Sequence, residues 1–188
     1  MKKIVIYLSL LVFAATALQS CKKGDEDPAL SLRSRKARLT GEWKMTNFEV
    51  NSFTDGVLDY HVKSDGSTVI ENNGDVFSYT QTYTFDKDGT YQIVTIADGI
   101  TDTEKGNWVF MGKNKSADIK KKEYLYLDET SYTSPNYSST YSNFQSGGGI
   151  SFKLIELSNK EIKMLYSSTI QNGSGSNKDE INYTLTKK

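Results

Sequence analysis

Residues 76–97 read VFSYTQTYTFDKDGTYQIVTIA, and this stretch decides the fold class. Between positions 76 and 85, the odd positions hold aromatic residues and Gln81, whereas the even positions hold Val76 and hydroxyl side chains. A period of two is typical of a β-strand with one buried face. The tetrapeptide DKDG that follows places Gly89 where a tight hairpin turn needs positive φ. The stretch therefore predicts an antiparallel hairpin whose aromatic face either fills a core or lines a ligand cavity.

The chain on both sides of this hairpin has a similar composition. Tyr, Thr, Val and Ile are frequent from Thr40 onward, and Pro135 is the single proline in that part. The pattern predicts strands at 41–50, 57–63, 76–85, 90–97, 106–111, 123–128, 150–157, 161–168 and 179–186. Short turns between such strands favour a sandwich or an up-and-down barrel, in which sequence neighbours pair. We also expect a basic helix at 29–39 and polar loops at 64–74, 130–149 and 172–177.

The first twenty residues form a leader rather than a folded element. Lys2 and Lys3 give it a basic start, and the apolar stretch at 4–18 is too short for a spanning helix, which needs about 20 residues. Cys21, the single cysteine, follows directly. A lone cysteine has no internal disulfide partner. The alternatives are therefore a free thiol and a covalently modified cysteine. We expect a modified cysteine.

The string Leu18-Gln19-Ser20-Cys21 resembles the lipobox of bacterial lipoproteins. The resemblance implies that Cys21 receives a diacylglycerol, that cleavage occurs before it, and that the new amine is acylated. The acids Asp25, Glu26 and Asp27 resemble the export signal of Gram-negative lipoproteins displayed on the outer membrane. The expected location is therefore the outer membrane, anchored by lipid, on the cell surface or otherwise on the periplasmic face.

The length of the chain predicts its division into segments, and its net charge argues against one class of partner. We expect a signal peptide at 1–20, a lipidated cysteine with a solvated acidic tether and a short helix at 21–38, and one barrel domain at 39–188. After removal of the leader, the chain holds 21 basic and 23 acidic residues, a net charge of −2. This near-neutral balance argues against nucleic acid as a partner.

Several strings in order resemble the lipocalin-like domain of small Gram-negative lipoproteins. They are LTGEWKM at 39–45, which looks like the lipocalin G-x-W strand, then the 83–91 hairpin, GNW at 106–108, YLYL at 124–127 and LIELSNKEI at 154–162. The resemblance implies an antiparallel barrel of eight to nine strands with the N-terminal helix against one end. Lipocalins often pack an arginine of the last strand over the G-x-W tryptophan. Residues 179–188 contain no arginine, so Lys187 or an arginine of the helix is the expected substitute.

Candidate binding residues come from the aromatic strand face and from the polar loop at 130–149. Amphipathic aromatic residues on such surfaces suit contact with a small apolar molecule, a glycan or a protein. The candidates are Phe77, Tyr79, Tyr83, Phe85, Tyr132, Tyr137 and Tyr141. The structural alternative is that the strand aromatics simply fill the core and that the loop is a surface loop or a long hairpin extension.

Two function classes remain open. One is a lipid-anchored binding barrel for a small apolar molecule or a glycan. The other is a non-catalytic accessory subunit of an envelope complex, with a filled barrel. We expect no enzyme, cofactor or metal, because His61 is the single histidine and no G-x-S-x-G nucleophile motif occurs. An apolar ligand predicts a cavity of several hundred Å³.

Overall fold

The computed structural model describes residues 24–28, 31–116, 119–120, 122–140, 149–172 and 175–188. These residues form a short helix and eleven strands. Their bounds are α1 Arg35–Leu39, β1 Gly41–Thr54, β2 Val57–Ser64, β3 Thr68–Ile70, β4 Val76–Phe85, β5 Thr90–Ala97, β6 Ile100–Phe110, β7 Tyr124–Ser134, β8 Tyr137–Thr140, β9 Ile150–Leu157, β10 Glu161–Asn172 and β11 Gly175–Lys187. No helix in the described ranges is long and apolar enough to cross a membrane.

The strands form one antiparallel sheet that closes into a barrel. Their order is β6-β5-β4-β3-β2-β1-β11-β10-β9-β7, and β6 pairs with β7 to complete the ring. The ring therefore holds ten strands, and β8 lies outside it, paired with β7. The predicted all-β antiparallel barrel is confirmed, whereas the predicted count of eight to nine strands is too low.

The two ends of the barrel differ because β1 changes its neighbour along its length. Near its start β1 pairs with β4, with Trp43 opposite Tyr83, whereas from Phe48 onward it pairs with β2. The β2–β3 hairpin thus inserts between β1 and β4 at one end only. We call the end where β1 meets β4, which eight strands surround, the narrow end, and the opposite end the wide end.

Most strands lie where the sequence predicts them, and β4, β5 and β9 have the predicted bounds. The differences are in the segments predicted as loops. Segment 64–74 contains β3, and β7 and β8 form a hairpin extension inside the predicted loop at 130–149. The loop expected at 172–177 is shorter, because β10 ends at Asn172 and β11 begins at Gly175. Strands of three or four residues, one of them entirely hydroxyl and aromatic, carry too few positions to show a period of two.

The apolar core is concentrated at the narrow end. The indole of Trp43 is fully buried and its Nε1 donates to the carbonyl of Leu39 at 2.7 Å. Phe85, also fully buried, makes an edge contact with Trp108 at 6.3 Å between ring centroids. Tyr83 is buried on the same face of β4. The aromatic face of the 76–85 strand therefore points inward, and close packing of these rings stabilises this end of the barrel.

Lys187 takes the place expected for the lipocalin arginine. Its Nζ lies 4.3 Å from the Trp43 ring centroid and donates to the carbonyl of Thr40 at 2.5 Å. A Cβ at Gly41, where φ is +124°, would lie 2.6 Å from this Nζ, so glycine leaves room for the lysine. Burial lowers the pKa of Lys187. The ammonium group is held over the ring by a cation–π contact and a hydrogen bond, as one of the two expected substitutes.

Residues 24–28 belong to the fold, and the prediction of a solvated tether is wrong for them. At the narrow end β9 extends past the start of β7, which leaves an edge of β9 open. The amide of Glu26 donates to the carbonyl of Ile155 at 2.9 Å, and the Asp27 carboxylate accepts from the amide of Leu157 at 2.8 Å. The segment therefore satisfies backbone groups that an exposed strand edge would leave open.

The buried carboxylate of Asp27 ties this segment to α1. Asp27 is 2% exposed, and Nη1 of Arg35 donates to it at 2.6 Å. Arg38 lies beside the same carboxylate at 3.9 Å and donates to the carbonyl of Leu157 at 2.6 Å. Helix α1 is shorter than the expected 29–39, because the Ser34 hydroxyl caps its start by accepting from the amide of Ala37. Residues 29 and 30 lie outside the described residues.

Candidate functional site

The barrel contains a cavity of about 130 Å³ near its middle. Four aromatic rings line it, from β4, β5, β9 and β11: Tyr83, Tyr91, Phe152 and Tyr183. They are brought together by the same inward alternation that builds the narrow-end core. Three of these four rings are tyrosines, whose hydroxyls need partners when buried.

The polar side chains of the lining are Gln81, Glu104 and Glu129. The Tyr83 hydroxyl donates to Oε1 of Gln81 at 2.6 Å, and Nε2 of Gln81 donates to Thr95 at 3.0 Å. The Tyr91 hydroxyl donates to Oε1 of Glu104. The amide of Gln81 and the hydroxyls of Tyr83 and Tyr91 are therefore engaged by neighbours in the barrel wall, whereas carboxylate oxygens and the hydroxyl of Tyr183 remain to face the cavity.

Burial changes the acidity of these groups. Desolvation raises the pKa of Glu104, and the hydrogen bond from Tyr91 opposes that shift in part. The pKa of Glu129 is raised by desolvation and then by the negative charge of Glu104. Desolvation also raises the pKa of Tyr183, to about 12, so this hydroxyl stays neutral at ordinary pH. The cavity thus disfavours a second negative charge and favours a proton or another cation.

The cavity adjoins a place where strands of the barrel wall separate. The pairing of β9 with β7 ends at Ile150, and its pairing with β10 ends at Lys153. Beyond Leu165, β10 remains paired with β11, but within the described ranges no strand pairs with its other edge, the one that faces β9. Glu129 and Ile150, which line the cavity, lie on β7 and β9 beside this seam. The seam is the side on which the continuous hydrogen-bonded wall is interrupted.

The strand candidates from the sequence are divided between cavity and core. Tyr83 lines the cavity. Phe85 is fully buried at the narrow end against Trp108. Phe77 and Tyr79 pack against the core toward the wide end, where the Tyr79 ring lies 5.6 Å from that of Phe48. The structure thus brings one of the four beside the cavity, and the other three pack with their neighbours.

Two loop candidates lie on the β7–β8 hairpin, where Tyr132 pairs across strands with the cavity residue Glu104 and Tyr137 lies on β8 outside the ring. The rings of Tyr132 and Tyr137 are 6.3 Å apart, and Tyr137 is 60% exposed. Tyr141 lies outside the described residues, as do Cys21 and the leader. The export candidates Asp25 and Glu26 are exposed and pair with Lys153 and Lys163 at 3.3 and 2.6 Å, whereas Asp27 is buried.

Sequence reasoning missed most of the cavity lining, including Tyr91, Glu104, Glu129, Phe152 and Tyr183. A signal existed on β6, because Glu104 has the same parity as Trp108, which is buried. If the side chain of Trp108 points into the barrel, the side chain of Glu104 must point into it as well. The same signal existed for Glu129 on β7, because it has the parity of the buried Leu125 and Leu127 and comes before the point where the β6–β7 register shifts.

The single histidine has a structural partner. His61 Nδ1 lies 2.8 Å from Oδ1 of Asn51 and 3.7 Å from Oε1 of Glu49. Within the described ranges, no group of three or more His, Cys, Asp or Glu side chains is arranged to hold a metal ion.

Comparisons with known proteins give a structural likeness but no relative. No protein-family model matches the sequence, and no curated protein matches it. A solved structure described as "Structure of EF1p2_mFAP2b bound to DFHBI" is similar over 80% of this chain and 94% of that chain, with 12% identity and a TM-score of 0.32. The description of the barrel rests on its own strand pairing.

Proposed function

We propose that this chain is a lipid-anchored lipoprotein of the Gram-negative outer membrane whose barrel binds a small molecule. The cavity carries the binding proposal, because its polar and aromatic side chains converge on an internal space beside an interruption in the wall. Binding proteins typically combine such an aromatic lining with a few placed polar groups. The anchoring part rests on the lipobox string that ends at Cys21.

The cavity favours a smaller and more polar ligand than the sequence predicts. At about 130 Å³ it is below the several hundred Å³ expected for an apolar ligand, and Phe77 is not part of its lining. Two half-buried carboxylates lie in its wall, and partial removal from water makes a polar or cationic partner favourable for them. We therefore favour a small polar or charged molecule over a purely apolar one.

A fragment-binding experiment tests the proposal. The ¹⁵N-labelled protein is titrated with neutral, cationic and anionic aromatic fragments of benzene size, and backbone amide shifts are recorded. We expect at least one fragment to shift the amides of cavity residues such as Glu104 and Phe152. Ile150→Trp, which places a large side chain at the cavity, should abolish these shifts. The matched control Ile170→Trp, on an exposed part of β10, should leave them unchanged. Shifts that survive Ile150→Trp, or no binder at all, would refute the binding barrel.

Anchoring and display have separate tests. Cys21→Ala should abolish incorporation of labelled palmitate and leave the leader attached, while the barrel still folds; undiminished label would refute lipidation.

For display, Asp25→Ala with Glu26→Ala should reduce protease accessibility at the surface of intact cells. Asp27 is left unchanged in that variant because it is buried in the fold. Equal accessibility of the variant and the wild type would refute an export role for these two acids.

One observation favours the alternative of an accessory subunit. Large apolar side chains are exposed at the wide end and on the neighbouring β7–β8 hairpin: Val57, Val76, Ile100, Tyr137 and Ile170. Exposed apolar surface of this kind is common at protein interfaces. A crosslinking experiment in cells, with a photoreactive residue at position 137, would detect a partner at this surface.

A further inference from the structure

The acceptors left at the cavity are carboxylate oxygens, and one tyrosine hydroxyl of the lining, that of Tyr183, remains beside them. The Tyr83 hydroxyl hydrogen is used on Gln81, and the Tyr91 hydroxyl hydrogen is used on Glu104. The second oxygen of Glu104 has no such donor, and Glu129 has no hydrogen-bond partner among the described residues. A molecule with several donors of its own therefore suits the carboxylate side of this space, because the single remaining hydroxyl cannot serve all these oxygens.

The protein does not supply a positive charge to balance these carboxylates. In the part of the chain that the structure describes, none of the cavity-lining residues is Lys, Arg or His. Buried carboxylates are normally paired with a cation, because removing them from water without one is unfavourable. Desolvation raises the pKa of both Glu104 and Glu129, and the negative charge of Glu104 raises that of Glu129 further. The charge that is missing from the wall is a positive one.

The aromatic lining suits the same kind of guest. The rings of Tyr83, Tyr91, Phe152 and Tyr183 surround the space from different strands. Ring faces attract ammonium and guanidinium groups, and recognition of organic cations commonly uses several aromatic side chains around the charge. A metal ion fits less well, because the described residues include no metal-ligating group of three or more.

The cavity also limits the size of the guest. Its volume of about 130 Å³ is close to that of an apolar cavity of about 150 Å³ that holds benzene. A monoamine or a simple guanidine of that size fits inside, whereas a larger molecule would have to extend through the seam beside Glu129 and Ile150.

We propose that the cavity binds a small organic cation, with Glu104 and Glu129 as its counter-ions and the four aromatic rings around its charged group. This inference rests on the proposed binding function and names the chemical class of the ligand. Glu104 also orients the Tyr91 hydroxyl, so its carboxylate is held by the wall, whereas Glu129 is placed beside the seam through which the cation enters.

The test compares two probes of matched shape and different charge, benzylamine and benzyl alcohol. Each is titrated into the purified full chain at pH 7 by isothermal titration calorimetry. We expect benzylamine to bind about tenfold or more tightly than the alcohol, as a charged hydrogen bond implies. Glu104→Gln and Glu129→Gln keep the side-chain shape and should each remove most of this preference. The control Glu49→Gln, which changes a half-exposed carboxylate on β1, should keep it.

The outcomes separate the ligand class from the binding function. Equal affinity for the amine and the alcohol would overturn the cation inference and leave the binding barrel in place. A preference for the amine that persists in both Glu→Gln variants would also overturn it, because the charge would then be recognised elsewhere. Absence of benzylamine binding refutes the inference, whereas the binding barrel itself falls only if no fragment of any charge shifts the cavity amides. Circular dichroism melts confirm that each variant is folded before it is titrated.

Discussion

The narrow end of the barrel and its middle follow the same alternation of side chains but bury different chemistry. At the narrow end the inward positions hold Trp43, Phe85, Leu125 and Leu185, all fully buried. Around the cavity, the inward positions of β4, β5, β6 and β11 hold three tyrosines and Glu104. Alternation alone therefore determines which side chains point inward, and the residue type determines whether that position becomes core or site.

The difference between the two regions is also energetic. Apolar burial stabilises the narrow end by about 1.5–3 kcal/mol per large side chain. Burial of a carboxylate acts in the opposite direction unless a partner compensates it. We infer that the narrow end holds the barrel together and that the middle gives up some stability to keep a polar space open, as is common at binding sites. The following substitutions test this division, beginning with the largest effect.

Truncation of Trp43 should have the largest effect on stability. Trp43→Ala removes a fully buried indole, its hydrogen bond to Leu39 and the ring under Lys187, and it should lower the free energy of unfolding by about 3–5 kcal/mol. In the cavity, Tyr183→Phe should cost less than about 1 kcal/mol because the ring remains. Urea unfolding measured by circular dichroism compares the two. Equal losses would show that the middle is as important for stability as the narrow end.

Loss of the Asp27 carboxylate should have the next largest effect. Asp27→Ala leaves the guanidinium of Arg35 buried without its 2.6 Å partner, and breaking a buried pair in this way costs about 3 kcal/mol. Asp25→Ala and Glu26→Ala are the matched controls, because both carboxylates are exposed and should change stability by less than about 0.5 kcal/mol. The same urea experiment applies. A small effect for Asp27→Ala would mean that residues 24–28 do not help to stabilise the narrow end.

The half-buried acid Glu104 should make the stability of the barrel fall as pH rises. Desolvation raises its folded-state pKa above the unfolded value of 4.5, so the folded state binds more protons between those two values. The free energy of unfolding should therefore decrease from about pH 4.5 upward through the folded-state pKa. Glu104→Gln should flatten this dependence and be relatively more stable at neutral pH. Urea midpoints at a series of pH values measure it, and an unchanged slope in the variant would contradict the assignment.

Tyr137 should have the smallest effect on stability. It is 60% exposed on β8, outside the ring, so Tyr137→Ala should change the free energy of unfolding by about 0.5 kcal/mol at most. A loss comparable to that of Trp43→Ala would place the β7–β8 hairpin within the cooperative core.

Much of the fold was predictable because its signals are local. The period of two in 76–85, the DKDG turn and the β-branched runs give β4, β5 and β9 with the observed bounds. Lys187 over Trp43 is one of the two substitutes that the resemblance to lipocalins implied, and the final strand brings it there by pairing with the first. The strand count was not predictable, because it depends on β2 and β3 inserting between β1 and β4, a pairing between segments that no local pattern encodes.

The site was harder to predict than the fold. Tyr83 was found because an aromatic residue on an inward strand face is a familiar signal, whereas Glu104 and Glu129 resemble solvent-facing acids when read in sequence. The acids Asp25, Glu26 and Asp27 show the converse error. They are adjacent in sequence and chemically alike, yet only Asp27 is buried, because Arg35 and Arg38 lie opposite it. Tertiary partners decide burial in both cases.

The docking of residues 24–28 on β9 has a mechanical consequence for a protein anchored at Cys21. Gly24, which contacts the carbonyls of Leu154 and Ile155, is separated from Cys21 by Lys22 and Lys23 alone. A stretch of that length spans about 11 Å at full extension. With acyl chains on Cys21, as proposed, only this short segment would separate the barrel from the lipid. The rotation of the barrel relative to the bilayer would therefore be restricted.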